Sequence, residues 1–348
     1  MKAVAYSIKP FEKEFLAKAN QKKHDITLIS NPLVIETAIY AEGKDAVIVS
    51  LNDNVSADVV QKLARYGIKY IVTRSTSTDH IDDVAAAKYS IKLSNVPSYP
   101  SQSIAEHTVA LALALDRKLM TADRRSHVFD FRNDELIGFN FFEKTVGLIG
   151  LGSTGLATAR IFNGMGCKIL GHDLSFPKDI PYILPATLED LLASSDIISL
   201  HIPLTEDTRH IIQRDTLEQM KNGVMLINTS RGGLINTKDL LIALKNGKIG
   251  YLGIDVYEFE KGLFYEDHEN DMVKDPLIKE LLQQPNVLIT PHQAYLTKEV
   301  LQEIANKTIK NLDLAQLDKC DGDNCTCGQN CKTHNLDGIK NDKVDAGR

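Results

Sequence analysis

The chain has no block of basic residues, and its formal net charge is −6 over 348 residues. That balance argues against nucleic acid as a partner, because phosphate backbones are met by clustered Lys and Arg. Long apolar runs are missing as well. The longest, residues 109–115, is far short of the roughly 20 residues that cross a bilayer. The opening MKAVAYSIKP has no signal-peptide h-region. Cysteine is scarce in the body of the chain, where Cys167 stands alone, so no disulfide framework can form there. The other four, Cys320, Cys325, Cys327 and Cys331, crowd into residues 319–348. These absences leave a cytoplasmic protein with no membrane partner as the expectation. No internal repeat is present either.

What remains is ordinary globular composition, 43% hydrophobic and 25% charged, in a chain long enough for one or two domains with ample core. Short β-rich runs at 3–8, 26–29, 46–50, 70–73 and 91–93 alternate with helical patterns such as Val59, Leu63 and Tyr66. That rhythm predicts a parallel α/β unit. Pro97 and Pro100 interrupt it, and a helical segment capped at Ser101 follows, where the chain passes to a second domain. Further strands are expected at 197–200, 224–227, 251–254 and 287–290. With two more around residues 145–171, they make about six parallel strands in a doubly wound sheet. Residues 299–317 read as a final amphipathic helix returning to the first domain. The predicted division is 1–100 plus 296–318, then 101–295, with a tail at 319–348.

The second domain is organised around Thr145-Val-Gly-Leu-Ile-Gly150-Leu-Gly152-Ser-Thr-Gly155. An apolar run enters G-x-G-x-x-G, a helical pattern follows, and a second apolar run ends at Asp173. This is the pattern of a dinucleotide-binding unit. Gly150 permits the sharp turn, Gly152 lets backbone amides approach a pyrophosphate, and Gly155 lets helix and strand pack closely. The helix N-terminus then faces the phosphates. Asp173 suits ribose hydroxyls and would repel a 2′-phosphate, so the expected cofactor is NAD. The first domain carries no such glycine fingerprint.

Ligands of open α/β sheets bind beyond the carboxyl ends of the strands. Four loops fall there: His201-Ile-Pro203, Asn228-Thr-Ser-Arg231, Asp255-Val-Tyr-Glu-Phe-Glu260 and Pro291-His292-Gln-Ala-Tyr295. They place Arg231, Asp255, Glu260 and His292 on the cofactor's edge. Arg can hold a 2-oxo-carboxylate by charge-assisted hydrogen bonds. His can protonate a carbonyl oxygen as hydride arrives, and a carboxylate beside it favours its charged form. Each has a plainer reading. Arg231 could be a surface residue after a turn, Glu260 could be solvated among Glu258, Glu266 and Asp267, and His292 could be a satisfied structural histidine. His201 either packs against the cofactor or orders its loop. His107 reads as a helix residue near the domain crossing.

Taken together, these stretches resemble the NAD-dependent D-isomer-specific 2-hydroxyacid dehydrogenase family from residue 1 to about 317. Asn95-Val-Pro-Ser-Tyr99, Ile104-Ala-Glu-His107, Leu200-His-Ile-Pro-Leu-Thr205 and the loops above carry the resemblance. It implies two flavodoxin/Rossmann-like domains with a cleft between them, and a homodimer or higher homo-oligomer. It implies Arg231 as the substrate-binding arginine, Glu260 as the histidine's partner and His292 as proton donor. Cofactor contacts are implied at Ser153, Thr154, Asp173, Ile202, Pro203, Thr208, Thr229, Ser230 and Asp255, the last meeting the nicotinamide amide. Tyr99 and Tyr295 would line the substrate pocket, and the backbone near Ser75, Thr76 and Ser77 would meet the substrate carboxylate. The chemistry needs no metal.

The long insert between Glu260 and His292 resembles the branch acting on D-lactate and D-hydroxyisocaproate. The expected reaction is therefore the reversible reduction of pyruvate to D-lactate. A bulkier 2-oxo acid and a nucleotide-sensing, corepressor-like module are the alternatives. Ser77 stands where the family usually has Gly, which carries a cost if that loop needs positive φ. Thr154 stands where Ile is common. The tail, with its four thiols and His334, matches nothing in the family. It reads as a flexible appendage with reactive thiols, or else as a soft-metal site.

Overall fold

A computed structural model describes residues 1–97, 100–177, 179–270 and 273–318. The chain divides into two compact units, Met1–Pro100 with the segment from Thr297, and Ser101–Leu296.

The first unit is built on five strands: β1 (Lys2–Ala5), β2 (Asp25–Leu28), β3 (Ala46–Val49), β4 (Tyr70–Thr73) and β5 (Lys92–Ser94). All pairings are parallel, in the order β2-β1-β3-β4-β5, the flavodoxin-like arrangement. The first strand stops earlier than its apolar run suggests. Ser7 turns to φ 52, out of extended backbone. Both faces of the sheet are covered. Val4, Val47, Val49, Ile71 and Leu93 meet Val59, Val60 and Leu63 of the helix Ala57–Arg65. On the other face Ala3, Ala5, Ile48 and Val72 meet Ala305, Ile309 and Leu312 of the helix Lys298–Gln316. That last helix does return to the first unit, and the apolar stripe it buries explains why.

The second unit has seven strands: β6 (Thr145–Ile149), β7 (Lys168–His172), β8 (Ile183–Pro185), β9 (Ile197–Leu200), β10 (Val224–Asn228), β11 (Ile249–Ile254) and β12 (Val287–Ile289). The order is β12-β11-β10-β9-β6-β7-β8, again parallel throughout. Strand order reverses between β6 and β9, so the turn after β6 sits at the switch point where such sheets bind ligands. The expected count of about six strands misses β8. This edge strand is three residues long, and proline stands at both Pro181 and Pro185, so it reads as a loop.

The helix Gln102–Asp116 begins where expected but without the expected cap. Ser101 has helical backbone angles and makes no capping bond, and its hydroxyl donates instead to Gln102 Oε1 at 3.3 Å. No helix among the described residues is long and apolar enough to cross a membrane.

Candidate active site

The glycine turn is shaped by contacts that exclude side chains. Gly150 has φ +99, and a Cβ there would strike the His201 carbonyl. A Cβ on Gly155 would overlap the Gly150 carbonyl oxygen, so helix and strand can approach this closely only with glycine. Gly152 differs. It caps the helix Ser153–Gly164 with extended backbone, and a Cβ there would meet nothing within 4 Å. The side of the turn facing the helix N-terminus is therefore open. The helix's first amides have no acceptor within the helix, and no acidic side chain occupies its first turn. Partial positive charge is left facing that open side, which suits an anionic group.

Asp173 lies just past β7. Its Oδ2 accepts from Leu151 N at 2.6 Å and its Oδ1 from Ser175 N at 2.8 Å. These bonds fix the carboxylate beside the turn and leave each oxygen acceptor capacity for hydroxyl groups. Leu174 and Ser175, which follow, are exposed and carry no charge. The turn and Asp173 together fit a dinucleotide with a free 2′-hydroxyl.

His201 packs against the back of the turn. Its Nε2 lies 2.9 Å from Ser199 Oγ, and its amide donates to Ile149 O at 2.7 Å. Burial lowers its pKa to about 4, so the ring is neutral at physiological pH and orders its loop without adding charge. Ser230 Oγ donates to Ile202 O at 2.6 Å, and Thr229 Oγ1 lies 2.8 Å from Thr108 Oγ1. Thr208 Oγ1 donates to Pro203 O at 2.7 Å and accepts from Thr205 N at 2.8 Å. As placed, these three hydroxyls shape the loops past β9 and β10.

β10, β11 and β12 are adjacent and parallel, so the residues after them share one edge within roughly 10 Å, two strand spacings. Arg231 follows β10 on a loop held by Asn228, whose Nδ2 donates to Arg231 O at 2.9 Å and whose Oδ1 accepts from Ser230 N at 3.0 Å. His292 follows β12, and its Nδ1 lies 2.9 Å from Glu260 Oε1. Glu260 Oε2 accepts from Tyr257 N at 2.9 Å, so the carboxylate is aimed from both ends. Both side chains are mostly buried, 15% and 28% exposed. With Nδ1 engaged, Nε2 is the atom available to a substrate.

Glu258, two residues earlier, belongs to a different cluster. Its Oε1 is 2.7 Å from His210 Nε2, and its Oε2 accepts from Thr237 N and Oγ1 at 3.0 and 2.8 Å. Although burial raises its pKa, the Thr237 amide, the Thr237 hydroxyl and His210 together hold it below the usual carboxylate value.

These features have close counterparts in known proteins. Residues 109–294 match the family model described as D-isomer specific 2-hydroxyacid dehydrogenase, NAD binding domain. A D-lactate dehydrogenase of Curvularia clavata is 42% identical over 90% of this chain and 92% of its own length. The chain belongs to the D-isomer specific 2-hydroxyacid dehydrogenase family. The solved structure of the pyruvate reductase of Chlamydomonas reinhardtii superposes with a TM-score of 0.88 at 39% identity, over 91% of this chain and 97% of that one. An aromatic 2-oxoacid reductase of Clostridium sporogenes is 36% identical over 91% of this chain and 97% of its own length. Members of the family are NAD-dependent dehydrogenases, and the second unit of this chain has the fold and the turn that binding NAD requires.

Two placements add detail to the family-based expectation. Asp255 is fully buried. Its Oδ1 accepts from Thr290 Oγ1 at 2.6 Å and Gln293 N at 2.8 Å, and its Oδ2 from Ala294 N at 2.8 Å. As placed, the carboxylate serves the His292 loop, and only a remaining lone pair is left for a nicotinamide amide. Ser77 is not among the residues with positive φ, so the expected backbone cost of replacing Gly does not arise.

In the first unit the loop past β4 is braced on several sides. Ser75 Oγ donates to Ser77 O at 2.5 Å, Asn95 Nδ2 donates to Thr76 O at 2.8 Å, and Val96 N donates to Ser75 O at 3.0 Å. Arg74 beneath it is buried and pairs with Glu12 at 2.6 Å. Tyr99 and the 319–348 tail, including its candidate metal ligands, lie outside the described residues.

One neighbour of His292 escaped sequence reasoning. Tyr265, from the long insert, lays its ring 5.8 Å from the His292 ring, and its hydroxyl donates to His292 O at 3.2 Å. The insert served only to mark a branch of the family. The adjacent aromatics Phe264 and Tyr265, just before the acidic stretch of that insert, are the available signal.

Proposed function

We propose that the protein reduces pyruvate to D-lactate reversibly, with NADH as the hydride donor. The His292–Glu260 pair carries this reading, since it stands with Arg231 on the edge that holds the glycine turn. NADH, held by the turn around Gly152 and by Asp173, supplies a hydride to the carbonyl carbon. Arg231 binds the substrate carboxylate through its guanidinium fork and fixes the carbonyl's orientation. His292 gives the proton on Nε2 to the carbonyl oxygen as it gains charge, and takes it back in the reverse reaction. Glu260, bonded to Nδ1, keeps the ring oriented and offsets its positive charge. The family resemblance implies that Ser75, Thr76, Ser77, Tyr99 and Tyr295 contact the substrate.

A bulkier 2-oxo acid is the second reading, favoured by the relative named for aromatic 2-oxo acids. Loss of NADH absorbance with pyruvate, 2-oxoisocaproate and phenylpyruvate ranks the substrates. No turnover with any of them, while NADH still binds, would make the protein a nucleotide-sensing module instead. In the same assay NADPH is expected to be at least tenfold poorer than NADH, because Asp173 repels a 2′-phosphate. Asp173→Ala should weaken NADH use and narrow that gap. Equal kcat/KM for the two cofactors in the wild type would contradict the assignment.

The active form is proposed to be a homodimer. The segment after the helix Leu119–Ser126 exposes Val128, Phe129, Phe131, Ile137 and Phe142, each at least 65% accessible. Arg124, Arg125, Asp130, Arg132, Asp134 and Glu135 intersperse both signs of charge among them. Such a patch suits a self-complementary two-fold contact. A monomer in sedimentation velocity at micromolar concentration would exclude it.

A further inference from the structure

His107, half-buried on the helix Gln102–Asp116, has no part in the chemistry above. Its Nε2 lies 3.0 Å from Thr290 Oγ1 and 3.5 Å from Asp255 Oδ1. Thr290 Oγ1 donates to Asp255 Oδ1 at 2.6 Å. A hydroxyl has one proton to give, and this one is used on the carboxylate. His107 Nε2 must therefore carry a proton and donate to Thr290. The chain has one direction, from His107 to Thr290 to Asp255.

Asp255 passes that order on to the acid's loop. Its carboxylate accepts from the amides of Gln293 and Ala294, which directly follow His292. Its backbone carbonyl accepts from His292 N at 2.7 Å. His292 itself has φ 52, a left-handed conformation that a histidine keeps only when its surroundings hold it there. Glu260 at Nδ1 and the Tyr265 ring meet the His292 side chain.

We infer that His107 and Thr290 are positioning residues for His292, acting through Asp255 to keep the imidazole turned toward Glu260. The inference rests on the reading of His292 as proton donor. With no donor from Thr290, the buried Asp255 carboxylate can rotate off the two amides. The left-handed turn then loosens and the His292–Glu260 bond lengthens. Misplacing an acid by about 1 Å is enough to cost on the order of a hundredfold in rate.

The test uses the full-length enzyme and four variants, each checked for folding by its thermal transition. Thr290→Val and His107→Leu remove the two donors. They should lower kcat for 2-oxo acid reduction by about ten- to a hundredfold, with KM for the oxo acid nearly constant because Arg231 is untouched. The alkaline limb of kcat should also move to lower pH, as the coupling to Glu260 weakens. Thr290→Ser and His107→Gln retain a donor and should recover most of the rate, which a generally loosened fold would not do. His292→Asn is the control for the underlying reading. If it keeps turnover, that reading and this inference fail together. If it is inactive while folded Thr290→Val and His107→Leu keep wild-type kcat and pH profile, the inference alone is overturned.

Discussion

Replacing Arg231 by alanine is expected to lower kcat/KM for the 2-oxo acid by about a thousandfold or more. Two charge-assisted hydrogen bonds to a carboxylate, each contributing on the order of 1.5–3 kcal/mol, set that scale. The loss should appear in both kcat and KM, because the same fork is proposed to bind the substrate and to orient its carbonyl. NADH affinity should stay close to wild type, since the turn around Gly152 and Asp173 lies beyond β6 and β7, at least two strands away in the sheet. Arg231→Lys should recover only part of the loss. An ammonium keeps the charge but not the bidentate geometry, and the loop, pinned by Asn228 and Ser230, cannot shift to compensate. A kcat/KM for Arg231→Ala within tenfold of wild type would remove Arg231 from the substrate site.

Arg231 was legible in the sequence because it follows an apolar run, and in a parallel sheet the ends of such runs meet at one edge. The same logic exposed Asp255, Glu260 and His292. It recovered the parallel strands around the glycine turn, though not the strand Ile183–Pro185, which follows Pro181 and itself ends in proline. What it could not decide was which acid serves which histidine. Glu258 and Glu260 are two residues apart, and both have histidines within reach in the fold. Glu258 pairs with His210 across 48 positions, and Glu260 pairs with His292 across 32. Those contacts depend on how the loops turn beyond the strands, which apolar periodicity does not encode. The bond from His107 to Thr290 spans 183 positions and the one from Tyr265 to His292 spans 27. Neither follows from local pattern. Asp255 shows the converse. Family likeness implies a cofactor contact there, and the fold adds bonds to the His292 loop that no sequence pattern signals.

The pairing of Glu260 with His292 sets the expected response to pH. On the proposed mechanism reduction takes a proton from His292, so activity requires the imidazolium at the start of each turnover. It should fall as pH rises through the titration of that group, while oxidation of D-lactate, which needs the neutral ring, should rise over the same window. Glu260 sits 2.9 Å from Nδ1 with its carboxylate mostly shielded from water, so its negative charge faces the ring that is proposed to carry the proton. Glu260→Gln keeps the shape and an acceptor oxygen but removes the charge. On that geometry the alkaline limb for reduction should move to lower pH. At a pH above the displaced limb, kcat for pyruvate should fall below the wild-type value. At a pH well below it the rates should converge, since both enzymes then carry the proton. The acid limb of D-lactate oxidation should shift in the same direction, because the variant holds a neutral ring at lower pH. Glu258→Gln supplies the contrast. Its partner is His210, so it should leave both limbs where they are even if it destabilises the fold. Limbs that stay fixed in Glu260→Gln, or that move in Glu258→Gln instead, would reverse the assignment of the two carboxylates.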